Sequence, residues 1–269
     1  MRESASVQMR PLVIYRGTGG IGHNMGGLLT ARDYAVSMNY VLAVCMAHHR
    51  PFPYPFFKVF NETSLGVELY HIQKGDKTPF INNVTRGDAC FRRIDAFDKG
   101  WTHDHNSYFR GSGNTKLVHA TSLPCVNMAF WKQVRKPLNV PCPLHGFHIR
   151  CTDKCDKYAN VKMNQIAGAV EMTYLATDAI THFDKSVVNP HVVGFKPVPV
   201  IAGAKNVHYG AMHPCNGFVN LINDMYHLTN VPTFHPTDGS SLSTLVLRYR
   251  ELSLPFVCNM PDIDQHVCH

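Results

Sequence analysis

Three features of the chain predict an α/β fold. Short apolar runs end in turns, a glycine-rich stretch lies between the first run and a helical pattern, and a proline-rich connection divides the chain near its middle. At 269 residues the chain can bury a substantial core, as one large domain or two smaller ones. Its composition, 45% hydrophobic and 17% charged, is that of a globular protein rather than a disordered or fibrous one. The formal charge of +7 suits an anionic small ligand or an acidic surface and falls short of a nucleic-acid-binding signature. No apolar run approaches the roughly 18 residues that a membrane span requires.

Met1 to Arg10 is polar and lacks the hydrophobic segment of a signal peptide. The nine cysteines show no framework spacing, so reduced thiols and a cytoplasmic location are expected. On that expectation the glycosylation patterns Asn61-Glu62-Thr63 and Asn83-Val84-Thr85 carry no meaning.

Pro11 to Tyr15 reads as a buried strand, followed by a glycine-rich turn from Arg16 to Gly27. Leu28, Leu29, Tyr34, Ala35, Met38 and Val41 then recur at roughly helical spacing, and Tyr40 to Val44 forms a second strand. Gly17, Gly19 and Gly22 fit a dinucleotide fingerprint, which keeps a nicotinamide-dependent oxidoreductase open. The acidic residue that would hold a ribose is replaced by Cys45-Met46-Ala47-His48. Pro51 to Asn114 is irregular and aromatic, and its histidines have neither zincin nor zinc-finger spacing. The prolines of 137–143 mark a linker, giving an N-terminal domain over 1–141 and a C-terminal domain over 142–269.

In the second half, Gly146-Phe147-His148-Ile149-Arg150 climbs as a strand into a polar turn, delivering a guanidinium to the edge where open α/β sheets bind ligands. Asn160 is a candidate cap for a helix carrying Val161, Ile166 and Val170. Met172 to Asp178 is a strand ending in a carboxylate, and Val192-Val193 and Val198 to Ile201 are short strands. Phe218, Leu221, Ile222, Met225 and Leu228 keep the clearest helical rhythm, with Asp224 on the polar side. Gly239-Ser240-Ser241 opens a further helix whose hydroxyls and amides could cap it or bind a phosphate. Pro255 to Cys258 is the last expected strand.

His148-Ile149-Arg150-Cys151-Thr152-Asp153-Lys154 resembles the first motif of the α1,6-fucosyltransferases, a group joined with nodulation and protein O-fucosyltransferases in one superfamily. Tyr174-Leu175-Ala176-Thr177-Asp178 is similar to the second motif, Asp224 stands at the acidic helix position that follows, and Ser240-Ser241 at the Ser-Ser motif. Gly20-Ile21-Gly22-His23-Asn24-Met25 lies where that superfamily has its first glycine-rich loop. The resemblance implies a GT-B-like architecture, two Rossmann-like domains facing a nucleotide-sugar cleft. It also implies inverting transfer of fucose from GDP-fucose to a glycan or glycoprotein hydroxyl, with neither metal nor other cofactor. By the same resemblance Gly20, Gly22, His23, Asn24, His148, Lys154, Asp178, Asp224, Ser240 and Ser241 bind the donor, and Arg150 neutralises the leaving phosphate. Cys151, Tyr158 and Ala179 stand where the family keeps an arginine, a Glu and a second Asp, so Asp156 becomes the candidate base. A transferase for another nucleotide sugar and a non-catalytic nucleotide-sugar or glycan-binding protein are the remaining alternatives.

Overall fold

The computed structural model describes residues 12–16, 20–45, 54, 56–66, 69–71, 102–104, 118–151, 156–197 and 214–259. These form two all-parallel sheets of four strands each. The first sheet has the order β3-β2-β1-β4, with β1 at Leu12–Arg16, β2 at Val41–Cys45, β3 at Leu69–His71 and β4 at Thr102–Asp104. The second has the order β7-β6-β5-β8, with β5 at His145–Ile149, β6 at Thr173–Thr177, β7 at Val192–Val193 and β8 at Thr233–His235. Helices α1 (Ile21–Met38), α2 (Phe56–Val59) and α3 (Met128–Val134) accompany the first half. Helices α4 (Ala159–Ala167), α5 (Ile180–Ser186), α6 (Pro214–Asn230) and α7 (Ser241–Glu251) accompany the second. None of the described helices is long and apolar enough to cross a membrane.

Parallel strands buried on both faces read as continuous apolar runs, and β6 is buried along its whole length. The strands expected around 11–15, 40–44, 172–178 and 192–193 are all present. The glycine-rich stretch differs from expectation. Helix α1 begins at Ile21, so His23 through Gly27 are helical rather than part of a turn. The glycines serve close packing instead. A Cβ on Gly27 would come 2.7 Å from the Tyr15 hydroxyl, and one on Gly22 would come 2.1 Å from the Ser241 carbonyl oxygen. Asn160 does not cap α4; the Tyr158 amide at that helix start donates to Asp156 Oδ1 at 3.0 Å. Pro255 to Cys258 contributes an isolated bridge, Val257 to Val126, rather than a strand. The strand expected over Val198 to Ile201 lies outside the described residues.

One hydrophobic cluster runs through both halves. Ile21, Met25 and Leu28 of α1 belong to it together with Leu245, Val246 and Tyr249 of α7 and Phe218, Ile222 and Met225 of α6. The segment around Phe256 to Cys258 turns back onto the first half, where Val126 donates its N–H to the Phe256 carbonyl and Cys258 donates to that of Val126. Cys125 and Cys258 are joined by a disulfide across a sequence separation of 133. This corrects the expectation of reduced thiols for Cys125 and Cys258, since structural disulfides persist in oxidising surroundings.

Closing a loop of this length constrains the unfolded chain by about 4–5 kcal/mol in the chain-entropy model. Cys258→Ser is therefore expected to lower unfolding stability by several kcal/mol in non-reducing denaturant titrations. An unchanged midpoint in that variant would show that the bond contributes nothing.

Candidate functional site

Strand β5 sits between β6 and β8 and carries His148, Ile149 and then Arg150 to the C-terminal edge of the second sheet. Two groups of contacts fix the turn that follows. Asp178, at the end of neighbouring β6, accepts the Cys151 N–H through Oδ1 at 2.6 Å. The Arg150 carbonyl accepts the Asp156 N–H at 2.7 Å, which draws the far side of the turn back onto the strand. Asp178 thus acts through its carboxylate, and Asp156 through its main-chain amide, on the backbone that presents Arg150.

Asp156 takes a different part from the base expected of it. Its side chain is fully buried, with Oδ2 2.5 Å from the Lys162 ammonium, while Oδ1 accepts the Tyr158 amide. Burial works to raise its pKa, but the hydrogen bond from Lys162, the Tyr158 amide and the Lys162 charge outweigh it and hold the carboxyl below the ordinary range. Such a carboxylate is a fixed anion rather than a proton acceptor for a substrate hydroxyl. Lys162 also donates to the Pro236 carbonyl at 2.6 Å. The Thr237 hydroxyl donates to the His148 carbonyl at 2.6 Å and lies 3.1 Å from Asp156 Oδ2. The network therefore ties the ends of β5 and β8 to α4.

His148 faces α7, where its Nδ1 meets Ser243 Oγ at 2.7 Å. Burial, with the Lys162 and Arg150 charges assisting, pushes its pKa down to about 3, so the ring is neutral above that pH. Close by, the N-termini of α1 and α7 meet at the Gly22–Ser241 contact. Their N-cap residues, Gly20 and Ser240, make no side-chain capping bond, and neither first turn holds an acidic residue. Two sets of orphan amides and two positive dipole ends thus share one region with no first-turn carboxylate to neutralise them, an arrangement suited to an anion. Asn24 is fully buried one turn along α1, and its carbonyl accepts the Tyr15 hydroxyl at 2.6 Å; His23 beside it is half-buried.

Asp224 makes its contacts apart from this group. It accepts the Tyr174 hydroxyl at 2.6 Å between α6 and β6, beside the His227 ring, which lies 4.7 Å from that of Tyr174. Burial raises its pKa to about 7, against the lowering effects of the Tyr174 hydrogen bond and the Lys136 charge. Lys154 lies outside the described residues.

The residues missed in the sequence are Lys162, Thr237 and Ser243. Ser243 falls just beyond the Ser-Ser pair, and its proximity could have drawn attention. Lys162 gave no signal, because a lysine on an amphipathic helix reads as solvent-facing. The dinucleotide fingerprint also loses support: its third glycine packs against α7 of the other half rather than against the preceding strand.

Two parallel sheets with a polar site at the edge of the second define an α/β protein built from two similar halves. The same fold occurs in solved structures of the fucosyltransferase NodZ. Two from Bradyrhizobium, one the selenomethionine form, each give a TM-score of 0.51 over 91% of this chain, at 17% and 16% identity, covering 93% and 94% of the NodZ chain. A NodZ α-1,6-fucosyltransferase crystal soaked with GDP-fucose gives 0.50 at 17% identity, over 91% of this chain and 93% of the other. No protein-family model and no curated protein matches the sequence.

Two outcomes follow from these placements. Asp156→Asn leaves the Lys162 ammonium buried without its counter-charge and is expected to cost about 3–5 kcal/mol. Adding Lys162→Met should recover much of that loss in denaturant titrations; a double variant as unstable as the single would remove the ion pair as the cause. For Asp224 the folded pKa lies above the unfolded one. Its contribution is fully present below about pH 4 and lost as pH rises toward about 7. Asp224→Asn should therefore flatten the fall in stability across pH 4–7. Curves of identical slope for the two proteins would contradict the shift.

Proposed function

We propose that the chain is a glycosyltransferase, an inverting fucosyltransferase that moves fucose from GDP-fucose to a hydroxyl of a glycan or glycoprotein acceptor. The observation that carries this reading is Arg150 at the edge of β5, braced by Asp178 and Asp156, in the same region as two uncapped helix N-termini. The fold shared with a NodZ structure soaked with GDP-fucose supports the same choice of donor. On this reading residues 1–141 form the acceptor-side domain and 142–269 the donor-binding domain of a GT-B arrangement. Gly20, Gly22, His23, Asn24, His148, Lys154, Asp178, Asp224, Ser240 and Ser241 make up or support the donor site. The Cys125–Cys258 bond supports action in an oxidising compartment rather than in the cytosol.

Displacing the sugar develops negative charge on the leaving diphosphate. Arg150 can meet two phosphate oxygens with its planar fork, Lys154 adds a point charge, and the amides of α1 and α7 contribute fixed dipoles that need no reorganisation. The proposal assigns charge neutralisation to these groups rather than to a metal ion. In an inverting transfer the acceptor oxygen forms its bond to the anomeric carbon from the face opposite the diphosphate, and its proton passes to solvent water as the bond to the diphosphate breaks. Asp156 has no step in that exchange; it holds the turn that presents Arg150.

Release of GDP or UDP, measured across a panel of nucleotide sugars with a glycan acceptor, tests the proposal. GDP-fucose should be the substrate consumed, and Arg150→Ala should lower turnover by about 10²–10³ with an unchanged thermal melt. Nucleotide binding without release would instead identify a binding protein, and turnover within about threefold of wild type in Arg150→Ala would remove the phosphate role.

A further inference from the structure

We propose that Ser243 is a positioning residue that locks His148 as the neutral Nε2–H tautomer, so that the ring presents a single uncharged donor to an acceptor oxygen of the bound nucleotide. The proposal rests on the nucleotide-sugar reading above for its ligand and on hydrogen-bond direction for everything else.

Ser243 is 2% exposed, so its hydroxyl must find its partners within the protein. It has two, both fixed. The Thr237 amide, 2.9 Å away, can only donate, so Oγ accepts there. His148 Nδ1, 2.7 Å away, is the one remaining group within reach among the described residues. Were Nδ1 protonated, the Ser243 proton would have no acceptor and would be buried unpaired, a cost of about 1–3 kcal/mol. The alternative satisfies every group: Ser243 donates to Nδ1, and the ring proton resides on Nε2. The Thr237 amide directs this choice, since it occupies the hydroxyl as an acceptor and leaves its proton for the ring. Nε2 itself has no hydrogen-bond partner among the described residues.

A second proton on the ring is opposed from several sides. Burial, Lys162 and Arg150 all disfavour it, and only the Asp156 charge favours it. The ring therefore offers one donor of fixed position across the whole pH range in which the protein would work. His148 lies on β5 two residues before Arg150, which follows the strand end at the same edge of the sheet. On this proposal the Nε2–H is the donor offered to the molecule that Arg150 holds. The part this gives Ser243 differs from that of Ser240 and Ser241. Those residues open the helix, whereas Ser243 sets the proton on a neighbouring ring.

The test is a long-range proton–nitrogen spectrum of the full chain labelled with nitrogen-15 histidine, with the His148 signals identified by their loss in His148→Gln. Wild type should show a protonated Nε2 and a bare Nδ1 from pH 5 to pH 8. Ser243→Ala should shift the ring toward a mixture of tautomers and weaken GDP binding about tenfold in calorimetry, and Ser243→Thr should restore both. A protonated Nδ1 in wild type overturns the proposal, as does a Ser243→Ala spectrum unchanged from wild type. Wild-type protein that fails to bind GDP at all overturns the nucleotide reading instead, and the tautomer signal reports independently of that result.

Discussion

The contact between Gly22 and the Ser241 carbonyl is the constraint around which the two halves are arranged. With any side chain at position 22 the Cβ would lie 2.1 Å from a main-chain oxygen, and neither backbone could yield without moving its helix. Glycine there lets the first turns of α1 and α7 touch. Below the contact, Ile21, Met25 and Leu28 share one core with Leu245, Val246 and Tyr249, so apolar burial holds the helices at the distance the glycine permits. The polar consequence appears at the top of the same pair. Two helix starts without side-chain caps or first-turn carboxylates lie side by side, and each leaves amides directed outward.

Arg150 depends on a different kind of support. A guanidinium just past the end of a strand is useful only if the turn beneath it is rigid, and here two hydrogen bonds grip that turn, one of them to a carboxylate. Asp178 holds the Cys151 amide, and the Asp156 amide returns to the Arg150 carbonyl. Asp156 in turn is anchored by Lys162, which reaches across to the Pro236 carbonyl beyond β8. Burying that ion pair is costly in desolvation, and an apolar replacement could match it for stability. What the pair provides is direction: one ammonium touching groups on three segments fixes the relative positions of β5, β8 and α4 at the edge where the ligand would sit.

Much of this plan was legible in the chain, for reasons that also explain the gaps. Strands β1, β2, β5 and β6 are apolar runs ending in turns, and α6 has a clean apolar stripe, so local patterning identifies them. The start of helix α1 is hidden in the sequence because the helix is buried on several sides and rich in glycine, with Ile21, Gly22, Asn24, Met25, Gly26 and Gly27 all enclosed. A helix packed from several directions has no stripe to read. Strand β8 is three residues long between two prolines and gives almost no signal; as the edge of its sheet it tolerates Pro232 and Pro236 as neighbours. Motif order drew attention to Arg150, Asp178 and the Ser-Ser helix start. The partners that determine what these residues do are far away in sequence. Lys162, Thr237 and Ser243 become meaningful only once the sheet places them against β5, and Cys125 meets Cys258 only when the segment around Phe256 to Cys258 returns to the first half.

Charge and direction are supplied to the site by separate groups. Arg150 and the dipoles of α1 and α7 provide positive potential, which attracts any anion and discriminates poorly between anions. His148 provides none, because burial and its cationic neighbours keep the ring neutral. A protonated imidazole beside Lys162 and Arg150 would add a third repelling cation to the same small region. It would also place a donor on Nδ1 where Ser243 requires an acceptor. Neutral, the ring contributes a hydrogen bond of defined direction without adding to the repulsion. Recognition of this kind depends on one hydroxyl in the third residue of α7, itself oriented by an amide at the end of β8. The accuracy of the site is therefore set by the packing of the second sheet against α7, the same packing that the Gly22 contact extends to the first half of the molecule.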